Sequence, residues 1–308
     1  MNRRNLLRGG VAAAALAGLG RFPFGWPVGA EPAKPRKLLV YTRSAGFEHS
    51  CVRLGKNGDP SHVDRTMTEL GKKHGFEVTC TKDGRVFLPE TLNKFDAVFF
   101  ETTEDLTKEG GDKQPPMPKE GKAALLDFVA SGKGFVGAHC ASDTFHSPGH
   151  RNGDFRHQEK LDPYIEMLGG EFIRHGAQQK AWMRVADKKF PGATSIEDFE
   201  LHEEWYSLKN FSPDIHVILV QDTQGMRDLD YARPNFPATW ARKHQKGRVF
   251  YTSMGHREDV WTNPVFQKLL LGGLSWAFGD VEADVTPNFK TATPDANKLP
   301  TPTPPKKK

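Results

Sequence analysis

The sequence predicts an α/β fold in which helices cover both faces of a doubly wound, mostly parallel sheet. Short apolar runs of strand length alternate with segments whose apolar residues recur at helical spacing, from residue 37 to residue 138. This alternation is typical of parallel sheets, because parallel neighbours are joined by crossover helices. The length of residues 31–280 suits a single domain with insertions.

Strands are predicted wherever a short apolar run is bounded by polar or turn-forming residues. The first four are residues 37–42, 76–80, 96–100 and 134–138. The segment from 147 to 235 is less regular, and we interpret it as insertions over one end of the sheet. The regular pattern returns with predicted strands at 216–220, 238–242 and 248–252.

Helix boundaries are marked by capping residues. Ser61 is placed to cap a first helix, which Gly75 ends. A second helix is predicted over residues 119–131, with Gly132 as its stop, and a closing helix over residues 264–278.

Residues 1–30 predict a twin-arginine signal peptide. Arg3 and Arg4 precede an apolar run, residues 11–19, that is too short to span a bilayer, and residues 28–30 offer a small-residue cleavage site. We therefore expect export to the periplasm or the extracellular space, with no transmembrane anchor after cleavage. A disordered basic N-terminus or an uncleaved signal is the alternative.

The other end of the chain, residues 281–308, is rich in proline and threonine and predicts a flexible tail. The formal net charge of +5 comes from the two ends, so the domain is close to neutral. No clustered basic face points to nucleic acid. The three cysteines suggest neither a disulfide framework nor a cysteine zinc site.

Polar side chains follow the carboxyl ends of four predicted strands. They are Arg43, His49, Glu101, His139, Asp143 and His256. Ligands of open α/β sheets bind beyond these strand ends, so we expect one shared pocket at this rim. Each residue taken alone is equally consistent with a surface loop.

Several motifs resemble the ThuA-like (trehalose-utilisation) family, and the resemblance covers residues 37–279. They are GFVGAHCASDTF, YIEMLGGEFIRH, HEEWY, PATWARKHQKGRVFYTSMGH and NPVFQKLLLGGLSWAFG. The resemblance implies a flavodoxin-like sheet similar to that of class I glutamine amidotransferases, and a role in carbohydrate metabolism. His49, His175, Glu204 and His256 match positions that recur in the family.

The chain departs from the amidotransferase pattern G-x-C-x-G at the turn after the fourth strand. Gly137 is followed two residues later by His139, and Cys140 comes one position further on. A cysteine nucleophile needs a lowered pKa and a well-placed base. We therefore expect Cys140 to be a small buried residue, and we do not predict glutamine hydrolysis. A Cys140-dependent hydrolase is the least favoured function.

Imidazole can transfer protons near neutral pH or bind a metal, which gives His139 two possible roles. The predicted catalytic residues are His139, Asp143 and Glu204. The predicted substrate-binding residues are Arg43, His49, Glu101 and Tyr206. A divalent metal such as zinc would be bound by His139, His175 and His256. Each histidine has the alternative role of a hydrogen-bonded loop support.

Two other groups of side chains have competing interpretations. Trp205 and Tyr206 can stack on a sugar ring or pack in the core, whereas Trp240, inside a strand, is predicted to be core. The segment SPGHRNGDFRH and the residue before it supply His146, His150 and His157. Its histidines suggest a metal tract or an anion contact, but a solvated loop is favoured.

Together these observations predict an exported protein of carbohydrate metabolism. The leading function is an enzyme, whether a hydrolase, a lyase or an isomerase, that acts on a sugar, a glycoside or a keto-sugar. His139 and Glu204 would carry out acid–base chemistry, with or without a metal. The alternative is a non-catalytic carbohydrate-binding protein with the same rim pocket.

Overall fold

The computed structural model describes residues 34–301 of the 308-residue chain. The strands are β1 (Lys37–Tyr41), β2 (Glu77–Thr81), β3 (Ala97–Phe100), β4 (Gly134–Ala138), β5 (Glu171–His175), β6 (Gln179–Val185), β7 (Phe199–Glu203), β8 (Tyr206–Lys209), β9 (His216–Asp222), β10 (Phe236–His244) and β11 (Gly247–Thr252). The helices are α1 (His62–His74), α2 (Pro89–Leu92), α3 (Gly121–Ala130), α4 (Pro163–Leu168), α5 (Glu258–Trp261), α6 (Pro264–Phe278) and α7 (Phe289–Ala292).

A nine-stranded sheet organises the domain, with strand order β2-β1-β3-β4-β11-β10-β9-β6-β7. The five strands from β2 to β11 run parallel, and the remaining four continue the sheet by antiparallel pairing. The predicted α/β class with a mostly parallel sheet is confirmed. Strands β5 and β8 form a separate antiparallel pair.

The middle of the chain is more regular than its sequence pattern predicts. Strands β6 and β7 lie within residues 147–235 and extend the large sheet, and β5 and β8 lie there too. Side chains along β6 and β7 alternate between buried or half-buried and exposed positions. Such alternation is typical of antiparallel strands with one solvated face, and it lacks the continuous apolar run by which buried parallel strands are recognised.

Apolar side chains pack on both faces of the parallel strands. On β1, Leu38 and Val40 pack with residues of α1 and α6, whereas Leu39 and Tyr41 pack with residues of α3 and α4 on the other face. All four side chains are fully buried. Burial of a leucine or valine side chain contributes roughly 1.5–3 kcal/mol, so the two-sided core fixes the positions of the strand ends.

Helix α1 shows the capping that its sequence predicts. The Ser61 hydroxyl accepts a hydrogen bond from the Asp64 N–H at 3.1 Å, and the Asp64 carboxylate accepts one from the Ser61 N–H at 2.9 Å. Gly75 ends the helix at φ +82°, in the left-handed region that favours glycine.

Residues 281–301 differ from the predicted flexible tail. The Phe289 side chain of α7 packs in the core with Phe211, and Ala296 is fully buried. Buried Arg233 donates a hydrogen bond to the Ala296 carbonyl. One aromatic anchor and several hydrogen bonds order the segment, and average composition does not reveal them. Residues 302–308 and the predicted signal peptide lie outside the described residues.

Within residues 34–301, none of the helices has the length and hydrophobicity needed to cross a lipid bilayer.

Candidate active site

Four side chains converge at the carboxyl ends of the parallel strands. His49 follows β1, His139 follows β4, His256 follows β11, and Glu204 lies between β7 and β8. Each offers one nitrogen or oxygen atom, and these atoms all lie within 4.8 Å of one another. The predicted rim pocket therefore has His49, His139, Glu204 and His256 at its centre, called here the His3Glu cluster.

The carboxylate of Glu204 organises this cluster. Its Oε2 atom lies 3.0 Å from His256 Nδ1, 3.5 Å from His139 Nε2 and 3.9 Å from His49 Nε2. A tetrahedral zinc ion with bonds of 2.0–2.1 Å separates its ligand atoms by about 3.3 Å. The three distances from Glu204 Oε2 lie near this spacing, so small side-chain movements would let the four residues hold one divalent cation.

His139 stands at the point of the turn after β4, with a φ of +37°. A non-glycine residue in this region stores about 1–3 kcal/mol of strain, which is most often found at functional sites. Its Nδ1 lies 3.2 Å from the Ser253 carbonyl, which can only accept, so Nδ1 carries the proton. Its buried Nε2 has no hydrogen-bond partner within the described residues and presents a lone pair to the cluster.

Burial and charge divide the protons within the cluster. Burial lowers the pKa of His139 to about 4, and burial also lowers the pKa of His49 well below its usual range. Burial opposes ionisation of Glu204, but the adjacent imidazoles of His139 and His256 hold its pKa well below the usual range. Burial works against a positive charge on His256, yet Glu204 raises its pKa. The neutral imidazoles of His49 and His139 beside an ionised carboxylate suit a divalent cation, and His256 would bind it through Nδ1 after losing the proton that faces Glu204.

His175 lies at the edge of the cluster. Its side chain is 43% exposed, and its Nδ1 lies 3.5 Å from Glu204 Oε1. The His175 ring also stacks on the Tyr206 ring. From the sequence, His175 is predicted to bind metal and His49 to bind substrate, whereas the structure groups His49 with the ligand atoms and leaves His175 at the opening.

Two predicted substrate-binding residues point elsewhere. Buried Arg43 donates to the backbone carbonyls of Leu106, Lys108 and Gln114, and thereby holds the loop after β3. Glu101 is fully buried, and desolvation raises its pKa well above the usual range. Its Oε1 atom contacts the Cys140 thiol and not the cluster, so its role in substrate binding stays a prediction.

Cys140 is buried, as predicted. Its Sγ lies 3.5 Å from Glu101 Oε1, and burial raises the pKa of the thiol well above its usual range. A protonated, enclosed thiol is a poor nucleophile. The geometry therefore gives no support to a Cys140-dependent hydrolase.

The aromatic side chains named from the sequence are all interior. Trp240 is core, as predicted, and its indole N–H donates to the Leu168 carbonyl at 2.8 Å. Trp205 is fully buried, so it offers no exposed face to a sugar. Tyr206 lies beneath the cluster: its ring centroid is 3.9 Å from that of His139, and its hydroxyl is 3.4 Å from His49 Nε2.

Asp143 belongs to a neighbouring group of side chains. Its Oδ1 accepts a hydrogen bond from His146 Nε2 at 2.9 Å. His146 and His150 pack together against Glu171, and His157 is hydrogen-bonded to the Asn210 side chain. The prediction of a solvated loop is therefore wrong for His146 and His150, whose side chains are largely buried, whereas His157 is exposed.

Three more residues join the site that the sequence pattern does not single out. Phe47 is 69% exposed, and its ring meets the His49 ring edge-on with centroids 5.1 Å apart. The Gln178 amide lies 2.9 Å from His256 Nε2. Glu203 accepts hydrogen bonds from the backbone N–H groups of Gly255 and His256. Only Phe47 leaves a signal in the sequence, as an aromatic residue in an otherwise polar strand-end loop.

Comparisons with known proteins agree with this architecture. The family model ThuA, described as trehalose utilisation, matches residues 37–277. A ThuA-like protein from Bacteroides uniformis is 18% identical, with a TM-score of 0.58, over 85% of this chain and 99% of its own. A ThuA-like protein from Parabacteroides merdae is 19% identical, with a TM-score of 0.54, over 83% and 95%. No match was found among curated proteins.

Proposed function

Because this chain belongs to the ThuA family, we propose that it is an exported enzyme of carbohydrate metabolism that uses a divalent metal such as zinc to act on a sugar or an oxidised sugar. The observation that carries this proposal is the His3Glu cluster. Its four donor atoms converge, and the Nε2 atom of His139 is buried without a hydrogen-bond partner among the described residues. An orphaned buried nitrogen is costly, and a metal ion would offset that cost.

One ligand has the supporting contact typical of metal sites. His139 Nδ1 donates its proton to the Ser253 carbonyl, which leaves the lone pair of Nε2 for a metal. The Gln178 amide donates to His256 Nε2, so without a metal the His256 Nδ1 atom carries a proton toward Glu204. Glu203 holds the backbone before His256. A bound divalent metal would polarise a carbonyl or lower the pKa of a water molecule.

Proton transfer falls to residues near the opening. His175 is exposed and lies within 3.5 Å of Glu204, so it can exchange protons with a substrate while contacting the cluster. Such general acid–base help typically contributes about 10²–10⁴-fold in rate. This proposal assigns proton transfer to His175, whereas the sequence analysis assigns it to His139 and Glu204.

Phe47 supplies a surface for substrate binding. Its exposed ring lies beside His49, at the mouth of the cluster. The apolar face of a pyranose suits an aromatic ring. We expect Phe47→Ala to raise KM with little change in kcat, because stacking of this kind binds substrate and transition state alike. Trp182→Ala removes a second large exposed aromatic, on β6, and serves as the control.

A metal analysis combined with a sugar screen tests the proposal. Purified residues 31–308 are assayed for bound metal and for turnover of sugars, glycosides and keto-sugars, with and without a chelator. We expect chelation and His139→Ala each to abolish turnover, whereas His202→Ala, on an exposed position of β7, has no effect. Sugar binding without turnover would favour the carbohydrate-binding alternative. Turnover that survives both chelation and His139→Ala would refute the metal role.

A further inference from the structure

We propose that His146, His150 and Glu171 bind a second divalent cation, at a structural site separate from the His3Glu cluster. The two histidines lie in the loop after the turn that begins at His139, and Glu171 opens strand β5. The Nδ1 atoms of His146 and His150 each lie 3.4 Å from the same atom, Glu171 Oε1. Three potential ligands therefore surround one point.

The two histidine nitrogens of this second site are buried and lack a hydrogen-bond partner among the described residues, whereas Glu171 Oε1 accepts one hydrogen bond, from the Ser147 N–H at 2.7 Å. The His150 side chain is only 7% exposed, and Glu171 is fully buried. Among the described residues, neither Nδ1 atom makes a hydrogen bond. A buried polar atom without a partner costs about 1–3 kcal/mol. A cation bound between them would satisfy both nitrogens.

The stacking of the two rings disfavours two charged histidines. The imidazoles of His146 and His150 stack with centroids 3.7 Å apart and planes 8° from parallel. Protonation of both rings would bring two positive charges to stacking distance. A cation bound by both would turn one ring out of the stack, because the lone pair of an imidazole nitrogen lies in the plane of its ring.

Neighbouring groups orient these ligands in the manner of metal sites. His146 Nε2 lies 2.9 Å from Asp143 Oδ1, so the ring can donate its outer N–H to a carboxylate. Glu171 Oε2 accepts a hydrogen bond from Asn210 Nδ2 at 2.6 Å. A histidine that binds a metal through one nitrogen commonly donates its other N–H to a carboxylate. Nitrogen and carboxylate ligands together favour zinc or a similar transition metal.

The second site would hold the surroundings of the active site in place. Its cation would join the His146–His150 loop to the first residue of β5, the strand that ends at His175 beside the cluster. Because two ligands come from a loop, loss of the cation is expected to loosen this region. The inference does not depend on the proposed reaction.

Metal stoichiometry and thermal unfolding test this inference. Full-length mature protein is stripped with a chelator, reloaded with Zn²⁺ alone, and analysed for bound zinc. We expect about two zinc ions per chain in the parent protein, and about one in His150→Ala and in Glu171→Gln, since each variant removes a ligand. Both variants should lose part of the zinc-dependent rise in Tm. His202→Ala is the matched control.

His139→Ala separates the two sites. It should also bind about one zinc ion, yet keep the part of the Tm rise that His150→Ala loses. Unfolding of the metal-free parent and variants shows whether each variant folds. If His150→Ala does not fold, His150→Gln replaces it, because glutamine keeps a similar side-chain volume. The inference is overturned if His150→Ala or Glu171→Gln binds as much zinc as the parent, or if His139→Ala alone removes all bound zinc.

Discussion

The backbone at His139 leads to a prediction about stability that is independent of substrate. His139 has a φ of +37°, whereas its neighbour Ala138 has an ordinary φ of −120°. We expect His139→Gly to be more stable than His139→Ala, although both variants lose the imidazole. At most positions the order is the reverse, because glycine loses more conformational freedom on folding.

The size of the difference follows from two opposing terms. The left-handed conformation costs an L-residue about 1–2 kcal/mol, which glycine avoids. Glycine's greater freedom in the unfolded chain costs it about 0.4–1 kcal/mol relative to alanine. The balance favours His139→Gly by about 0.5–1 kcal/mol, or about 1–4 °C in Tm for a domain of this size.

Chemical denaturation of both variants in the presence of a chelator measures this difference without any contribution from metal binding. The midpoint of His139→Gly should lie above that of His139→Ala, with equal slopes. Ala138→Gly is the control and should be less stable than the parent, because it removes a buried methyl group at an ordinary φ. If His139→Ala is as stable as His139→Gly, the inference that the backbone at residue 139 is strained is wrong.

Four further predictions concern other parts of the chain. Cys140→Ala should keep metal content and turnover, and loss of turnover in a folded variant would favour the thiol mechanism. Phe289→Ala should lower the free energy of unfolding by about 3–5 kcal/mol. An unchanged unfolding midpoint would mean that Phe289 does not anchor residues 281–301 to the core. Partial burial opposes ionisation of Asp96, but the Lys37 N–H and the Lys133 ammonium together lower its pKa. Its contribution to stability is therefore present above the unfolded pKa and is lost as pH falls through the lower folded pKa. The stability difference between Asp96→Asn and the parent should therefore shrink in acid, and a constant difference would contradict this. Fused to a reporter, residues 1–30 should direct export that Arg3→Lys with Arg4→Lys abolishes, and undiminished export would exclude the twin-arginine pathway.

Local patterns in the sequence were sufficient to predict the parallel half of the fold. Strand β4 and helix α6 have the bounds that their apolar runs and caps predict. Residues that follow buried parallel strands must emerge at one edge, which is why His49, His139 and His256 could be grouped at one rim from strand positions alone. Glu204 was found through motif resemblance, since strand position does not point to it.

The ordered C-terminal segment and the loop histidines required the tertiary structure. The low apolar content of residues 281–301 predicts a flexible tail, but a single side chain, Phe289, anchors the segment to the core. His146 and His150 looked like members of a solvated loop because their partner, Glu171, comes later in the chain. Contacts of this kind depend on the path of the chain and leave no periodic pattern.

The sequence by itself determined the fold class, the turn at His139 and the rim at which polar residues gather. These follow from local rules: apolar periodicity, caps and the geometry of parallel strands. Only the tertiary structure decided that His49 rather than His175 joins the ligand atoms, and that Arg43 and Glu101 face the interior. The direction of a side chain at a strand end depends on the packing of distant segments, and spacing along the chain does not encode it.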